Sequence, residues 1–66
     1  MQIVINGEAH EVATPISLQD LIQSLDLKED RVAVELNRQI VRRERWQETQ
    51  LREQDRLEIV HIVGGG

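Results

Sequence analysis

The N-terminal segment alternates between apolar and polar positions in a way that is typical of a β-hairpin. Ile3 and Ile5 would share one face of a short strand, because successive side chains of a strand point to opposite faces. Asn6-Gly7 follows, and this pair favours a two-residue turn in which both central residues take positive φ. The pattern predicts a return strand from Glu8 to Ala13 with Val12 facing inward, and the proline beyond it cannot continue a paired strand.

The next segment repeats its apolar residues at helical spacing. Ser17 stands where its hydroxyl can cap a helix start, and Asp20 is an acid of the kind favoured in a first turn. One apolar stripe follows at Leu18, Leu21, Ile22 and Leu25. The helix is predicted to end near Asp26 or Leu27, and its single stripe must cover one face of a sheet.

Alternation returns in the C-terminal half of the chain. Val32, Val34 and Leu36 occupy every second position and predict the inward face of a third strand. A turn is expected from Asn37 to Gln39, and Ile40-Val41 is predicted as a short fourth strand.

Residues 42–50 are polar around a single tryptophan, and this stretch is predicted to be irregular or a single helical turn. Trp46 is expected to anchor packing and not to stack on a ligand, because lone tryptophans in small domains contribute a large buried area. Leu51 lies alone among polar residues and is expected to close the edge of the core.

The last strand-like segment is apolar on both of its faces. Leu57 and Ile59 are predicted to face inward, with Val63 continuing the same side, and Val60 and Ile62 are predicted to face the other way. This pattern is typical of a central strand that has one face available to a partner.

The predicted order of elements is β-β-α-β-β-β, which places the chain in the α+β class. The first and last strands are the most apolar. We therefore expect them to be parallel neighbours at the centre of a mixed sheet of four to five strands packed on one helix. This is the arrangement of a ubiquitin-like β-grasp. We expect one domain over residues 1–63 and a flexible glycine tail over residues 64–66.

Composition narrows the classes of partner. The 66 residues carry a formal net charge of −4 and include no cysteine. Negative charge disfavours nucleic acid, whose phosphates attract cations, and suits a protein with a basic surface. No thiol nucleophile is possible, and no apolar run approaches the ~20 residues of a membrane span. Because the N-terminus has no signal-peptide pattern, we expect a soluble cytoplasmic protein.

Three of the four glycines close the chain as Gly64, Gly65 and Gly66. A tail without side chains can enter a narrow slot, and its ionised carboxylate is unhindered. From Val63 onward the tail would span about 13–14 Å when extended at ~3.4 Å per residue. We expect this tail to enter a partner's site and to carry the reactive group of the protein. The alternative is a remnant of a linker.

Several residues together resemble the ThiS family of sulfur carriers, and the resemblance extends over the whole chain. They are Val32-Ala33-Val34-Glu35-Leu36-Asn37, Trp46, Leu51, Asp55, Leu57-Glu58-Ile59 and the closing Gly65-Gly66. The family usually has glycine before the aspartate of the turn that enters the last strand, whereas this chain has Gln54 at that position. The departure concerns the geometry of that turn and not the function.

The resemblance implies that the chain is a substrate of enzymes and not itself an enzyme. A ThiF-like, E1-like adenylyltransferase would bind it and use ATP to activate the Gly66 carboxylate as an acyl-adenylate. Sulfur from a cysteine desulfurase would then replace the adenylate and leave a thiocarboxylate. A ThiG-like thiazole synthase would use that sulfur to build the thiazole of thiamine. The chain itself would bind no cofactor, because ATP is used by the activating partner.

Three residues are predicted to form a partner-docking patch on the open face of the sheet: Val60, Ile62 and Ala33. The alternative is that they are scattered surface apolar residues of the ordinary kind. His61 is expected to be a solvated strand residue or part of the docking surface. With His10 it does not make a metal site, so no metal is expected.

Four arginines lie close together in sequence: Arg38, Arg42, Arg43 and Arg45. They are predicted to form a solvated face balanced by neighbouring glutamates. The alternative is a site for a phosphate or an acidic patch of a partner.

Two further functions remain open from the sequence. A MoaD-like small subunit of molybdopterin synthase, or another thiocarboxylate carrier, would share the fold and the glycine tail. A non-catalytic ubiquitin-like interaction module would share the fold and have an inert tail.

Overall fold

A computed structural model describes residues 1–63 as a five-stranded sheet with one α-helix and two 3-10 helices. The strands are β1 (Gln2–Ile5), β2 (Glu8–Glu11), β3 (Val32–Leu36), β4 (Gln39–Val41) and β5 (Arg56–His61). Helix α1 spans Leu18–Ser24, and the 3-10 helices span Glu29–Arg31 and Arg43–Glu48. Within residues 1–63, no helix has the length and apolar composition needed to cross a bilayer.

The strands lie in the order β2-β1-β5-β3-β4. β1 and β5 are parallel, with Ile5 beside Leu57, and the other neighbouring pairs are antiparallel. The last strand therefore lies at the centre of a mixed sheet beside the first strand. This confirms the predicted α+β class and the ubiquitin-like β-grasp arrangement.

The core lies between one face of the sheet and the segment formed by α1 and the second 3-10 helix. Burying each large aliphatic side chain in this layer contributes about 1.5–3 kcal/mol. The buried apolar residues are Ile3, Ile5, Leu18, Leu21, Ile22, Val32, Val34, Trp46, Leu51, Leu57 and Ile59. Every strand except β2 and β4 contributes to this set, and both of those strands are edges of the sheet.

Helix α1 begins and ends with recognisable capping. The backbone N–H of Asp20 donates to Ser17 Oγ at 3.0 Å, which confirms the predicted cap. The predicted end near residue 26 or 27 was too late, because Asp26 takes a left-handed φ of 61°. Its N–H donates to the carbonyl of Gln23, and that of Leu27 donates to the carbonyl of Ile22. This is the pattern of a Schellman cap, with aspartate where glycine is favoured.

The second strand is shorter than predicted. It ends at Glu11 and not at Ala13, and Val12 lies just outside it, half-buried against the core. Backbone hydrogen bonds of 2.9 Å join Val12 to Met1 in both directions, so pairing with the start of the chain continues past the strand. Val63 was predicted to face inward, which is wrong: the side chain is 89% exposed.

The segment around Trp46 is more regular than predicted. It forms a six-residue 3-10 helix, Arg43–Glu48, where an irregular stretch or a single helical turn was expected. Trp46 is buried, and its Nε1 donates to the carbonyl of Val41 at 2.8 Å. Because the indole is fixed in the core and bonded to β4, it holds this segment against the sheet. The packing role predicted for Trp46 and the core position predicted for Leu51 are both confirmed.

Candidate docking face

One face of the sheet is left open, because α1 and the second 3-10 helix both cover the other face. Glu58 and Val60 point to this open face, since they alternate with the buried Leu57 and Ile59 along β5. The antiparallel register of β3 and β5 places Ala33 opposite Val60. The structure therefore brings together two of the three residues predicted for docking.

Ile62 is the third predicted docking residue, and it lies one residue beyond the end of β5. Its backbone N–H donates to the carbonyl of Arg31 at 2.8 Å, so pairing with the β3 side continues past the strand. The side chain is 50% exposed. Exposure makes all three residues available to a partner, and their role in docking stays a prediction.

A fourth apolar residue lies on this face and was not predicted from the sequence. Ile40 of β4 lies opposite Glu35 and is 76% exposed, the most exposed of the strand apolar residues. A shallow depression of about 200 Å³ lies between it, Ala33 and Val60. We call Ala33, Ile40, Val60 and Ile62 the open-face patch. The turn at Asn37 sets the register that puts Ile40 there, and that turn was visible in the sequence.

Carboxylates border the open-face patch. Glu35 and Glu58 lie directly opposite each other on β3 and β5, and both are exposed. A second depression, of about 510 Å³, lies on the other side of this pair and is lined in part by Arg38 and Arg56. Toward the C-terminal end of β5, the side chains of the open face are therefore first the two arginines, then the two glutamates and then the apolar residues of the patch.

The four clustered arginines do not act as one group. Arg45 forms an exposed ion pair with Glu48 at 2.6 Å, and this hydrogen bond raises the pKa of the guanidinium above its ordinary value. Arg38 lies in the β3–β4 turn and borders the open face, whereas Arg42 and Arg43 stand at the start of the second 3-10 helix. All four side chains are exposed, as the prediction of a solvated face requires.

The histidines lie on the helix side of the sheet. His10 and His61 both line a groove of about 340 Å³ that also includes Leu25 and Leu27. In the part of the chain that the structure describes, no three histidine, aspartate or glutamate side chains are grouped as a metal ion would need.

Two asparagines hold β5 in place from opposite sides. Asn6, at the end of β1, bonds through its side chain to the backbone of Ile59. Asn37, at the end of β3, accepts a hydrogen bond from the backbone N–H of Arg56 at 3.0 Å. Both asparagines take φ near 50°, the left-handed region that asparagine tolerates well. The strand that leads to the C-terminus is therefore clamped over most of its length.

The three terminal glycines lie outside the described residues. The predictions that Gly64, Gly65 and Gly66 form a tail, enter a partner's site and carry the reactive carboxylate stay predictions. The described chain leads up to them through the exposed Ile62 and Val63.

Comparison with known proteins identifies the family. A sequence model of the ThiS family matches residues 3–66. The chain belongs to the ThiS family. The sulfur carrier protein ThiS of Bacillus subtilis is 46% identical over 50 residues, which cover 76% of each chain. The crystal structure of a ThiS thiamine biosynthesis protein from Geobacter metallireducens has a TM-score of 0.87 and 29% identity, with both chains fully covered.

A longer relative contains a ThiS-like segment. A thiazole synthase of Magnetococcus marinus is 38% identical to this chain over all 66 residues, which correspond to 20% of that protein. A sequence similar to a ThiS-family domain is thus part of a protein that is called thiazole synthase.

The departure from the usual ThiS-family pattern has a structural consequence at the turn before β5. Gln54 takes a left-handed φ of 70°, a conformation in which glycine has no steric cost. Three hydrogen bonds hold the turn: the N–H of Gln54 donates to the carbonyl of Gln2, that of Asp55 donates to the carbonyl of Arg52, and that of Arg52 donates to Asp55 Oδ2. The turn therefore forms with glutamine at this position, but the backbone of Gln54 is strained, which the family's usual glycine would avoid.

Proposed function

We propose that this chain is a cytoplasmic sulfur carrier protein of thiamine biosynthesis, whose Gly66 carboxylate is adenylated and converted to a thiocarboxylate. The observation that carries the proposal is the ThiS-family match, which extends from Ile3 through Gly66 and so includes the terminal glycines. The fold supports it, because a small body with one open face suits a chain that is handled by larger enzymes. The chain acts as a protein substrate and is not an enzyme.

The chemistry is carried by the terminal acyl group. A carboxylate oxygen of Gly66 attacks the α-phosphorus of ATP, and pyrophosphate leaves, in the site of a ThiF-like, E1-like adenylyltransferase. Hydrosulfide, released when a thiol reductant reduces the persulfide of a cysteine desulfurase, attacks the acyl carbon. The bond from that carbon to the adenylate oxygen breaks, AMP leaves, and a thiocarboxylate remains. Gly64 and Gly65 give this group access to a narrow site, because neither carries a Cβ.

A ThiG-like thiazole synthase is the proposed acceptor of the sulfur. The supporting observation is the Magnetococcus marinus thiazole synthase, 20% of which is similar to this whole chain. A segment joined to an enzyme in one protein is commonly a separate chain that meets the same enzyme in another. Thiazole formation is therefore favoured over the molybdopterin pathway.

The proposal is tested by intact mass. The purified chain is incubated with ATP, sulfide and a ThiF-like adenylyltransferase, and replacement of one oxygen by sulfur should add about 16 Da. A chain that lacks Gly65 and Gly66 is the matched control and should show no gain. No gain in the full chain, with an enzyme that modifies another ThiS-family carrier, would support an inert interaction module and contradict the proposal.

The mass gain alone does not distinguish thiamine biosynthesis from other thiocarboxylate pathways. The modified chain is therefore supplied to a ThiG-like thiazole synthase with its other substrates, and thiazole formation is followed by chromatography. Transfer of sulfur to a molybdopterin precursor in place of thiazole formation would favour the MoaD-like alternative.

A further inference from the structure

The hairpin between β1 and β2 contains the one asparagine–glycine pair of the chain, Asn6-Gly7. In such a pair the backbone nitrogen of glycine can attack the side-chain carbonyl carbon of asparagine, because glycine has no Cβ to hinder the approach. The attack releases ammonia and forms a cyclic imide, which water opens to aspartate or isoaspartate. The sequence around Asn6 therefore favours deamidation.

The folded chain holds the amide of Asn6 away from the attacking nitrogen. Nδ2 donates to the carbonyl of Ile59 at 3.1 Å, and Oδ1 accepts from the N–H of Ile59 at 2.8 Å. These bonds direct the side chain toward β5, whereas Gly7 leads into β2 on the other side of β1. Because Cγ must turn toward the Gly7 nitrogen for the imide to form, both hydrogen bonds have to break first.

Packing gives this turn no further protection. Asn6 and Gly7 are both exposed, and a Cβ placed on Gly7 would meet no atom within 4 Å. Water and base therefore have access to the turn in the folded chain. Local opening at the end of β1 is enough to free the amide, and local opening costs less free energy than global unfolding.

We propose that Asn6 is a modification site, at which the contact between its amide and Ile59 controls spontaneous deamidation. The reaction takes place while the contact is open, and its products cannot form the same contact again. A chain that has opened at this hairpin thereby carries a permanent change. The proposal does not depend on the sulfur chemistry, because it concerns the folded body and not the terminal glycines.

The reaction is balanced with water as the only co-reactant. The Gly7 nitrogen loses its proton and bonds to Asn6 Cγ, the bond from Cγ to Nδ2 breaks, and Nδ2 leaves as ammonia. Water then attacks either imide carbonyl, and the bond from that carbon to the ring nitrogen breaks. Attack at Cγ gives aspartate, and attack at the main-chain carbonyl gives isoaspartate. Replacement of NH2 by OH adds about 1 Da.

Both products lose the donor that Asn6 presents to the carbonyl of Ile59. In aspartate, one carboxylate oxygen still accepts from the N–H of Ile59, but the other oxygen faces a carbonyl that is also an acceptor. In isoaspartate, the main chain runs through the side-chain carbons, which lengthens the turn. The carbonyl of Ile59 is left without its partner in a partly buried position, which destabilises the contact. The modified hairpin should therefore open more often.

The other asparagine of the chain is a matched internal control. Asn37 takes a φ of 51°, close to the 50° of Asn6, and its side chain also bonds to the backbone of β5. The residue after it is Arg38, whose side chain hinders the attack. Trypsin cleaves after lysine and arginine, so it places Asn6 in a peptide of residues 1–28 and Asn37 in a peptide of residues 32–38.

The test compares the folded and the unfolded chain. The protein is incubated at mildly alkaline pH in buffer and in concentrated urea, and the tryptic peptides are followed by mass. In urea, the peptide of residues 1–28 should gain about 1 Da, with fragmentation placing the gain at Asn6. In buffer this gain should be at least about tenfold slower, because the folded contact opens rarely. The peptide of residues 32–38 should change more slowly than the Asn6 peptide in urea.

Two outcomes of this comparison would overturn the proposal. Equal rates at Asn6 in buffer and in urea would show that the contact with Ile59 gives no protection. A gain at Asn37 in urea as fast as that at Asn6 would show that the glycine does not select the site.

Two substitutions test whether opening controls the rate. Ile59→Ala weakens the packing of β5 and should speed deamidation of Asn6 in buffer by about tenfold or more, toward the rate in urea. Ile40→Ala is the control, because Ile40 is 76% exposed, and it should leave the rate unchanged. Thermal unfolding is followed for both variants. A lowered melting temperature in Ile59→Ala without faster deamidation would contradict control by opening.

The effect of the modification is tested with Asn6→Asp and with the aged chain separated by chromatography. Both should melt at a temperature lower by about 4 °C or more than the wild type. The N–H of Ile59 should also exchange with deuterium at least about tenfold faster in both, because the contact opens more often. An unchanged melting temperature and unchanged exchange would show that the products keep the contact, which would overturn this part of the proposal.

Discussion

The side-chain amide of Asn6 forms two hydrogen bonds with the backbone of Ile59: Nδ2 donates to the carbonyl at 3.1 Å, and Oδ1 accepts from the N–H at 2.8 Å. β1 ends at Ile5, whereas β5 continues to His61. The amide presents the donor and acceptor that the next strand residue would have presented. Asn6 therefore extends the pairing of β5 while its own backbone already turns into the β1–β2 hairpin.

Asn6→Ala should lower the free energy of unfolding by about 2–3 kcal/mol. It leaves the N–H and carbonyl of Ile59 without partners in a partly buried position, and groups of this kind cost about 1–3 kcal/mol when unsatisfied. It also places an alanine at a φ of 50°. Urea denaturation followed by circular dichroism measures the change.

Asn6→Gly is the control for that substitution. It removes the same two hydrogen bonds and keeps a residue that adopts positive φ without strain. It should therefore destabilise less than Asn6→Ala, and the difference between the two variants isolates the backbone contribution. Equal stability of the wild type and Asn6→Ala would contradict the role assigned to the amide.

Gln54→Gly should raise the free energy of unfolding by about 0.5–1 kcal/mol. The residue takes a φ of 70°, which is strained for an L-amino acid with a side chain and not for glycine. Part of the gain is offset because glycine has more freedom in the unfolded chain. Gln54→Ala retains the strain and should differ little from the wild type. A loss of stability in Gln54→Gly would show that the glutamine side chain contributes more than its backbone costs.

Ile59→Ala should cost about 2–5 kcal/mol, the range for truncating a large aliphatic residue in a core. Ile59 is on the central strand and is 8% exposed. The same substitution at Ile40, which is 76% exposed, should change stability by less than about 0.5 kcal/mol. Thermal and urea unfolding of the two variants test whether the covered and open faces are assigned correctly. Similar costs at both positions would contradict that assignment.

The fold could be predicted because its signals are local and repeated. The stripe of α1, the alternation of β3 and the paired turn signals at Asn6 and Asn37 each determine one element and its inward face. The position of β5 beside β1 follows from a different signal, its apolar character on both faces. Together these restrict the possible arrangements to a mixed sheet covered by a single helix.

The second 3-10 helix could not be predicted because few contacts stabilise it. Some of these contacts are with α1, which is distant in the sequence. The residues of this 3-10 helix have no helical stripe, and one side chain, Trp46, fixes the segment through burial and a hydrogen bond to Val41. The early end of α1 has a similar origin. Asp26 adopts the left-handed conformation at the C-terminal cap of the helix. A glycine at this position would have indicated the helix end in the sequence, whereas an aspartate does not.

The candidate docking face was predicted only in part, because the sequence does not show how neighbouring strands are aligned. Val60 and Ile62 were recognised because β5 has apolar residues where a half-exposed strand would have polar ones. Ile40 was missed because a three-residue strand has too few positions to show which face is buried. That Glu35 and Glu58 lie opposite each other could not be predicted either, because it depends on the register between β3 and β5.

Docking should depend on the open face of the sheet, and the sulfur chemistry should depend on the C-terminal glycines. Deleting Gly65 and Gly66 should abolish thiocarboxylate formation, because the reactive carboxylate is then displaced toward the body by two residues. The melting temperature should shift by less than about 2 °C, whereas a loss of about 1 kcal/mol would lower it by 4–8 °C in a domain of this size. Differential scanning calorimetry and intact mass measure the two effects.

The truncated chain also tests where binding energy resides. Because the open-face patch remains in place, the truncated chain should still compete with the full chain for the adenylyltransferase and inhibit formation of the thiocarboxylate. A truncated chain of unchanged stability that does not compete would place the binding energy in the terminal glycines. Adding Ile40→Ser and Val60→Ser to the truncated chain should weaken the competition, because this variant lacks both the terminal glycines and the apolar surface of the open-face patch.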